Sequence, residues 1–312
     1  MKILVPNTIT LDLSALGEDV VSYDARASVP DEHRDTDVLV VWQNSAENLA
    51  DAARKMKRLK LVQTLAAGPD AVMAAGFADD VMITSGRSLH DGPVAEHALA
   101  LVLALARRLD VLAAAQKAHV WDHRYIREQA SPATEQRYTL DGAAVTVWGF
   151  GSIAARLAPM LAALGADVTG VAKTAGDRFG FPVAAVADLP EVLRRTDVLI
   201  SLLPADPETV NALDEELMRA LPDSAIFVNV GRGATVDENA LMSALRSGRM
   251  RAAAIDVMKD EPLPADSPLW DTPNLIITPH VAGNRPKGAS ELVLANVLAL
   301  RENKALTNLL AV

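Results

Sequence analysis

The sequence predicts an α/β protein of two domains, each built on a parallel sheet covered by helices. Short apolar runs alternate with helical patterns along most of the chain. Those runs are rich in β-branched residues and barely alternate with polar ones, as strands buried on both faces do. A chain of 312 residues allows about two domains at roughly 100–200 residues each.

Strand candidates ahead of the domain junction are residues 2–5, 38–42, 60–65 and 81–84. Behind it come 144–148, 167–172, 197–203, 225–230, 252–257 and 274–278. The junction falls near residue 90 or 100. There, residues 93–108 read as a long helix, with Asp91 as N-cap and Pro93 in the first turn, where its missing N–H is harmless. This helix is apolar nearly all round, which predicts burial between domains or subunits. Residues 110–140 are more polar, carry Trp121, Tyr125 and Tyr138, and read as an arm or connection.

Composition narrows the chemistry. Half the residues are hydrophobic (50%) and mean hydropathy is +0.15, enough for a large core and against global disorder. A net charge of −10 argues against a nucleic-acid partner, because phosphate binding needs clustered Lys and Arg. The absence of cysteine excludes disulfides, Cys-ligated zinc, iron–sulfur clusters and thiol catalysis. The first apolar run is too short for a secretory signal. The longest uncharged one, residues 98–106, is far below the roughly 20 residues a membrane span needs. The expectation is a cytoplasmic protein with no membrane partner.

A strand at 144–148 runs into Gly149-Phe150-Gly151-Ser152-Ile153-Ala154, a G-x-G-x-x-A turn, and a helix follows to Leu164. Gly149 permits the tight turn, Gly151 lets a pyrophosphate approach the backbone, and Ala154 permits close helix–strand packing. The helix N-terminus, at Ser152 and Ile153, offers N–H groups to phosphate. An ordinary tight βα turn has the same letters; the strand–turn–helix–strand context points to a dinucleotide. Pro159 removes one hydrogen bond and can kink the helix, two turns beyond the binding turn. The next strand ends Gly170-Val171-Ala172-Lys173-Thr174, without the acidic residue that grips the ribose diol of NAD. Lys173 and Thr174 suit a 2′-phosphate, so NADP is expected over NAD. If Lys173 is only a solvated surface lysine, NAD serves.

Further blocks join this turn. They are Asp197-Val198-Leu199-Ile200-Ser201-Leu202-Leu203-Pro204 with Thr209, and Phe227-Val228-Asn229-Val230-Gly231-Arg232-Gly233-Ala234-Thr235-Val236-Asp237. The last runs from Ala254-Ile255-Asp256-Val257 through Asp260-Glu261-Pro262-Leu263-Pro264 to Thr278-Pro279-His280-Val281-Ala282-Gly283. In their order and spacing these blocks, with Val94–Ala100 at the junction, resemble the D-isomer-specific 2-hydroxyacid dehydrogenase family over nearly the whole chain. The resemblance implies two Rossmann-like/flavodoxin-like domains with the active site in the cleft between them. Residues 1–90 plus 281–312 would bind substrate, and residues 91–280 the dinucleotide. It also implies hydride transfer between NAD(P)H and a 2-keto acid, by a homodimer joined through the cofactor domain.

Reducing a 2-keto acid creates an alkoxide that must be protonated, beside a carboxylate that must be held. The resemblance makes His280 the general acid, Glu261 the group that orients it, and Arg232 the fork that engages carboxylate and keto oxygen. Taken singly, His280 reads equally as a loop histidine, Glu261 as a solvated carboxylate and Arg232 as a turn stabiliser. The resemblance further assigns Asp256 to the nicotinamide carboxamide, Leu203, Pro204 and Thr209 to the adenosine side, and the backbone near Val230 to the nicotinamide ribose. The Ala66-Ala67-Gly68 turn would offer backbone N–H groups, at Ala67 and Gly68, to the substrate carboxylate. Arg87, Ser88 and His90 belong to the cleft, the hinge or the surface. His97 reads as a packed core or interface residue. His119 and His123 have the i, i+4 spacing of a helical metal site, but no third ligand is evident and no metal is expected. Two other functions compete: a dinucleotide-sensing, corepressor-like binding protein, and a phosphite dehydrogenase.

Overall fold

The computed structural model describes residues 1–17 and 19–310. The chain divides into two compact units, residues 1–90 with the chain from 285 onward, and residues 91–284.

The first unit opens with β1 (Ile3–Pro6), β2 (Val20–Tyr23), β3 (Val38–Val41), α1 (Ala46–Lys55), β4 (Leu61–Thr64), α2 (Asp70–Met73) and β5 (Met82–Thr84). Its strands form a parallel sheet in the order β2-β1-β3-β4-β5. That is the flavodoxin-like order, which reverses direction between β1 and β3. Every residue of β3 and β4 is buried; β3 is an unbroken apolar run, and β4 ends in the buried polar pair Gln63 and Thr64. The edge strand β2 is not legible as an apolar run, since Val20 and Val21 are half-covered and Ser22 is exposed. Ser45 caps α1 by accepting from Asn48 N at 3.1 Å, while Arg54 and Lys55 sit in its last turn against the negative end of the helix dipole.

The second unit begins with α3 (Asp91–Ala106), α4 (Leu109–Lys117) and α5 (His123–Ala130). Asp91 is the first residue of α3 rather than its cap. Nor is α3 buried all round: Glu96 and Ala100 are exposed, and one face, Ala98, Leu101, Val102 and Leu105, enters the core. Each large apolar side chain so buried contributes about 1.5–3 kcal/mol. Arg108 takes a left-handed backbone at φ +49°, which ends α3 and turns the chain into α4. The segment expected to be an arm is pinned to its own unit by Tyr125 and Tyr138, whose rings meet edge-on at 5.4 Å. The Arg251 guanidinium lies 4.7 Å over the Tyr138 ring. His119 lies outside both helices at φ +55° and His123 starts α5, so the two do not share a helix face.

There follow β6 (Ala144–Trp148), α6 (Ser152–Ala163), β7 (Asp167–Ala172), β8 (Gly176–Arg178), β9 (Phe181–Ala185), α7 (Leu189–Leu193) and β10 (Val198–Ser201). Then come α8 (Glu215–Ala220), β11 (Ile226–Asn229), α9 (Glu238–Ser247), β12 (Ala252–Ile255) and β13 (Leu275–Ile277). Among the described residues the sheet has eight strands in the order β13-β12-β11-β10-β6-β7-β9-β8. Setting the β8 edge aside, this is the Rossmann-like order with its reversal between β6 and β10. The sheet is not wholly parallel, because β8 and β9 pair antiparallel. Two residues join them, Phe179 at φ +56° and Gly180 at φ +80°, the positive pair that a tight hairpin requires. Helix α6 continues through Pro159.

The second unit runs four residues past His280 because the turn after β13 belongs to its core. Ala282 is buried with α3 and β12, and its N–H donates to Asp256 Oδ2 at 3.0 Å. The chain then returns to the first unit as α10 (Ala289–Arg301), which buries Val293 and Val297 under that sheet. Asn296 Nδ2 donates to Gln63 Oε1 at 2.6 Å inside it. Among the described residues no helix is long and apolar enough to cross a membrane, and no three potential metal ligands cluster.

Candidate active site

The turn after β6 has the local chemistry of a pyrophosphate cradle. Gly149 stands at φ +97°, and a Cβ there would lie 2.9 Å from the Leu202 carbonyl. No other residue fits that backbone beside β10. At Gly151 the position of a Cβ meets nothing within 4 Å, so open space lies over the backbone just where α6 begins. Gly151 is the N-cap and supplies no side-chain acceptor, so the first N–H groups of α6, on Ser152 and Ile153, remain for an outside anion. Ala154 is fully buried, and a Cβ on Gly170 of β7 would fall 2.5 Å from the Phe150 ring. Small residues at both places let helix and sheet close up.

A cavity of about 780 Å³ opens over this turn. It is bounded by Gly149 and Gly151 on one side, by Ala172 and Lys173 at the end of β7, and by Leu203, Pro204 and Thr209 beyond β10. The volume is in the range of dinucleotide-sized ligand sites. Thr209 Oγ1 donates to Pro204 O at 2.7 Å and accepts from Asp206 N at 2.9 Å, which folds the loop that forms the far wall. Val230 is not among the residues lining this cavity; it is buried, with its N–H donated to Ser201 O at 3.2 Å.

Lys173 is solvent-exposed yet paired, its Nζ 2.7 Å from Glu208 Oε2, and this ion pair holds the Lys173 ammonium above its ordinary pKa. Arg178, on β8, also lines the cavity. Its Nη2 donates to Thr174 Oγ1 at 2.8 Å and to Thr174 O at 3.1 Å. Thr174 is thus tied to Arg178 at the mouth. Neither Arg178 nor Glu208 is legible from the sequence, because the hairpin that brings Arg178 back carries no apolar run. The available signal is a second basic residue five positions after Lys173, next to a Phe-Gly turn.

The three residues expected to do chemistry all belong to the second unit. Arg232 follows β11 between two glycines that cannot be replaced. A Cβ on Gly231 would lie 2.5 Å from Leu203 O, and one on Gly233 1.9 Å from the Met258 carbonyl carbon. The Arg232 carbonyl accepts from Thr235 Oγ1 at 2.7 Å and from Asn229 Nδ2 at 3.2 Å, which fixes where the half-buried side chain leaves the backbone. Its Nη1 donates to Gly231 O at 2.8 Å.

His280 follows β13 with a left-handed backbone, φ +51°. Its Nδ1 lies 2.6 Å from Glu261 Oε2, while Glu261 Oε1 accepts from Met258 N at 2.9 Å. With Nδ1 as donor to the carboxylate, Nε2 is the ring nitrogen turned to other partners. The His280 side chain is 47% exposed and that of Glu261 32%, so a small molecule can reach the imidazole.

Asp256, at the end of β12, braces this turn from beneath. It is 1% exposed. Its Oδ1 accepts from Thr278 Oγ1 at 2.5 Å and Val281 N at 3.0 Å, and Oδ2 from Ala282 N at 3.0 Å. A nicotinamide carboxamide would be an additional partner for an already engaged carboxylate. His97 is not simply packed in the core: its Nε2 sits 3.0 Å from Thr278 Oγ1 and 3.4 Å from Asp256 Oδ1, so it joins the same brace.

The remaining candidates belong to the first unit. Beyond β4, Ala66 O accepts from Gly86 N at 2.8 Å, and a Cβ on Gly86 would strike Leu65 O. Buried His90 stacks on Trp42 at 5.4 Å, with Nε2 2.7 Å from Leu65 O. These contacts hold a turn in which Ala67 is exposed. Arg87 O accepts from Asn308 Nδ2 of the C-terminal segment at 2.9 Å, and Ser88 takes a left-handed backbone at φ +75°.

Known proteins are similar to this chain in sequence and in fold. Residues 99–282 match the family model for the D-isomer specific 2-hydroxyacid dehydrogenase, NAD binding domain. Glyoxylate/hydroxypyruvate reductase A of Salmonella paratyphi B is 31% identical over 280 residues, covering 87% of this chain and 85% of that protein. A D-isomer specific 2-hydroxyacid dehydrogenase family protein from Aeromonas salmonicida superposes with a TM-score of 0.85 at 28% identity, over 99% of this chain and 98% of that one. A D-isomer specific 2-hydroxyacid dehydrogenase from Xanthobacter autotrophicus Py2, crystallised with NADPH and MES, gives 0.79 at 30% identity, over 99% and 97%. With a phosphate-receptive turn after β6 and a family match across most of its length, the chain belongs to the D-isomer specific 2-hydroxyacid dehydrogenases and is an NAD(P)-dependent enzyme.

Proposed function

We propose that this enzyme reduces small 2-keto acids to D-2-hydroxy acids and prefers NADPH to NADH. The observation that carries the reading is the 2.6 Å contact between His280 Nδ1 and Glu261 Oε2. A ring that donates from Nδ1 to this carboxylate keeps the opposite nitrogen for a ligand, which supports a general-acid role. The reduced nicotinamide, when bound, supplies the hydride. His280 Nε2 delivers the proton to the oxygen that was the ketone, and Glu261 holds the imidazole at the required angle. Arg232 holds the substrate carboxylate and keto oxygen, and the backbone N–H groups of Ala67 and Gly68 add donors to the carboxylate.

In this reading residues 91–284 bind the dinucleotide, and residues 1–90 with the chain from 285 onward bind the substrate. The pyrophosphate takes the N–H groups of Ser152 and Ile153 above Gly151. Leu203, Pro204 and Thr209 bound the adenosine, and the Val230 backbone lies by the nicotinamide ribose. Preference for NADPH is supported by Ala172, Lys173, Thr174 and Arg178, which supply two cations and no carboxylate at the end of β7; Glu208, which pairs with Lys173 at the same cavity, would yield the lysine to a 2′-phosphate. The Xanthobacter relative that binds NADPH supports it. The Salmonella relative's name supports glyoxylate and hydroxypyruvate as the substrate class. A homodimer through the cofactor unit is part of the reading. Its support is the apolar arm surface at Val120 and Trp121, 57% and 78% exposed.

The test is cofactor oxidation by purified enzyme with NADPH and NADH in parallel, across glyoxylate, hydroxypyruvate, phenylpyruvate and branched 2-keto acids. Turnover with a preference for NADPH is expected. Tight NADPH binding without turnover of any 2-keto acid would replace this reading with that of a dinucleotide sensor.

A further inference from the structure

A second cavity, of about 630 Å³, shares the His280–Glu261 pair. Its other walls are hydrocarbon: Met258 and Leu263 on the loop after β12, Trp270 farther along that loop, and Ile277 at the end of β13. Among the described residues no Lys or Arg lines it. We propose that this cavity receives the side chain of the 2-keto acid, and that the enzyme favours substrates with an apolar side chain over glyoxylate. The inference rests on His280 being the proton donor in 2-keto acid reduction, and within that reaction it departs from the glyoxylate and hydroxypyruvate named for the relative.

Three features support it. The position is right: a group bonded to the carbon whose oxygen faces His280 lies within a few bond lengths of a cavity that His280 itself lines. The wall is preformed, because Trp270 Nε1 donates to Pro264 O at 2.9 Å, which satisfies the only polar atom of the indole and pins the ring. The wall is also unfilled, since Trp270 is 51% exposed, and a ligand that covers it removes apolar surface from water. A second carboxylate or a phosphate would find no cation here. A hydroxymethyl group would find only the two groups already bonded to each other. Glyoxylate has no side chain and leaves the cavity to solvent. Each methylene that enters should raise kcat/KM by about fourfold.

The experiment compares glyoxylate, hydroxypyruvate, 4-methyl-2-oxopentanoate and phenylpyruvate at saturating NADPH, in the wild type, Trp270→Ala, Trp270→Phe and Leu263→Ser. The wild type should prefer 4-methyl-2-oxopentanoate or phenylpyruvate to glyoxylate by about tenfold or more. Trp270→Ala and Leu263→Ser should each erase most of that preference while leaving glyoxylate turnover and the KM for NADPH near wild type. Trp270→Phe should restore it. The proposal is overturned if glyoxylate or hydroxypyruvate is the best substrate and both variants change all four alike; the reductase reading then stands. It is also overturned if Trp270→Ala changes the oligomeric mass on a sizing column but not selectivity, because the wall is then a subunit contact. Failure to turn over any 2-keto acid overturns both readings.

Discussion

Replacing Glu261 by Gln tests the proton-donor geometry with the least change of shape. The Glu261 carboxylate serves two donors, His280 Nδ1 at 2.6 Å and Met258 N at 2.9 Å. A glutamine has one acceptor oxygen and cannot serve both. If the oxygen stays with His280, a charge-assisted bond becomes a neutral one and the Met258 N–H loses its partner. If the oxygen goes to Met258, the amide NH₂ meets Nδ1 and forces the other tautomer on the ring. The drop from a charge-assisted bond to a neutral one costs about 1–1.5 kcal/mol, and an orphaned N–H about 1–3 kcal/mol more. If about 2–4 kcal/mol of this falls on the transition state, kcat declines about 30- to 10³-fold. The assay is steady-state NADPH oxidation with the best 2-keto acid, followed as loss of cofactor absorbance. Because Glu261 does not line the 780 Å³ cavity, the KM for NADPH should stay within about twofold. A kcat for Glu261→Gln equal to wild type would refute the role of the pair.

Other perturbations probe other links of the same chain. Gly233→Ala would force a methyl into the Met258 carbonyl, 1.9 Å from its carbon; overpacking of this kind costs about 1–3 kcal/mol. The thermal midpoint should fall, and keto-acid turnover with it, since the Arg232 loop must move. Lys173→Asp should lower the NADPH:NADH ratio of kcat/KM by about tenfold or more through repulsion of the 2′-phosphate and loss of a charge-assisted contact; an unchanged ratio removes Lys173 from cofactor selection. In the first unit, Lys55 at 2.8 Å, with Ser28 Oγ and Val29 N, holds the Asp51 carboxyl well below the usual carboxylate range. A depressed folded-state value means this stabilisation is complete above the ordinary carboxylate pKa near 3.8 and is lost as pH falls through the folded value. Asp51→Asn should therefore lower the unfolding free energy read from urea melts at neutral pH by about 1.5–3 kcal/mol, and the gap from wild type should close on acidification. A gap independent of pH would show that the charge is not what stabilises.

Much of the fold is legible in the sequence because parallel strands buried on both faces are mostly apolar, as at Val38–Val41 and in Val198, Leu199 and Ile200. The strands that escape, β2 and the β8–β9 hairpin, lie at sheet edges where one side meets water and the apolar signal thins. Along the chain, the spacing around Gly149 identifies a nucleotide turn, and the blocks at Arg232, Glu261 and His280 identify the family. Local chemistry dictates such features: a glycine is required where no Cβ fits, and a strand end is required where a helix must start. What the tertiary structure alone decided is which groups meet. Residues 19 positions apart in sequence bond at 2.6 Å as Glu261 and His280. Asp256 turns out to be a buried brace. Arg178 arrives at the cofactor cavity on a hairpin, and Trp270 forms a wall beside the histidine. None of these follows from composition or period, because each depends on loops folding back over strand ends, and loop paths are set by packing and hydrogen bonds between segments that are distant in the chain.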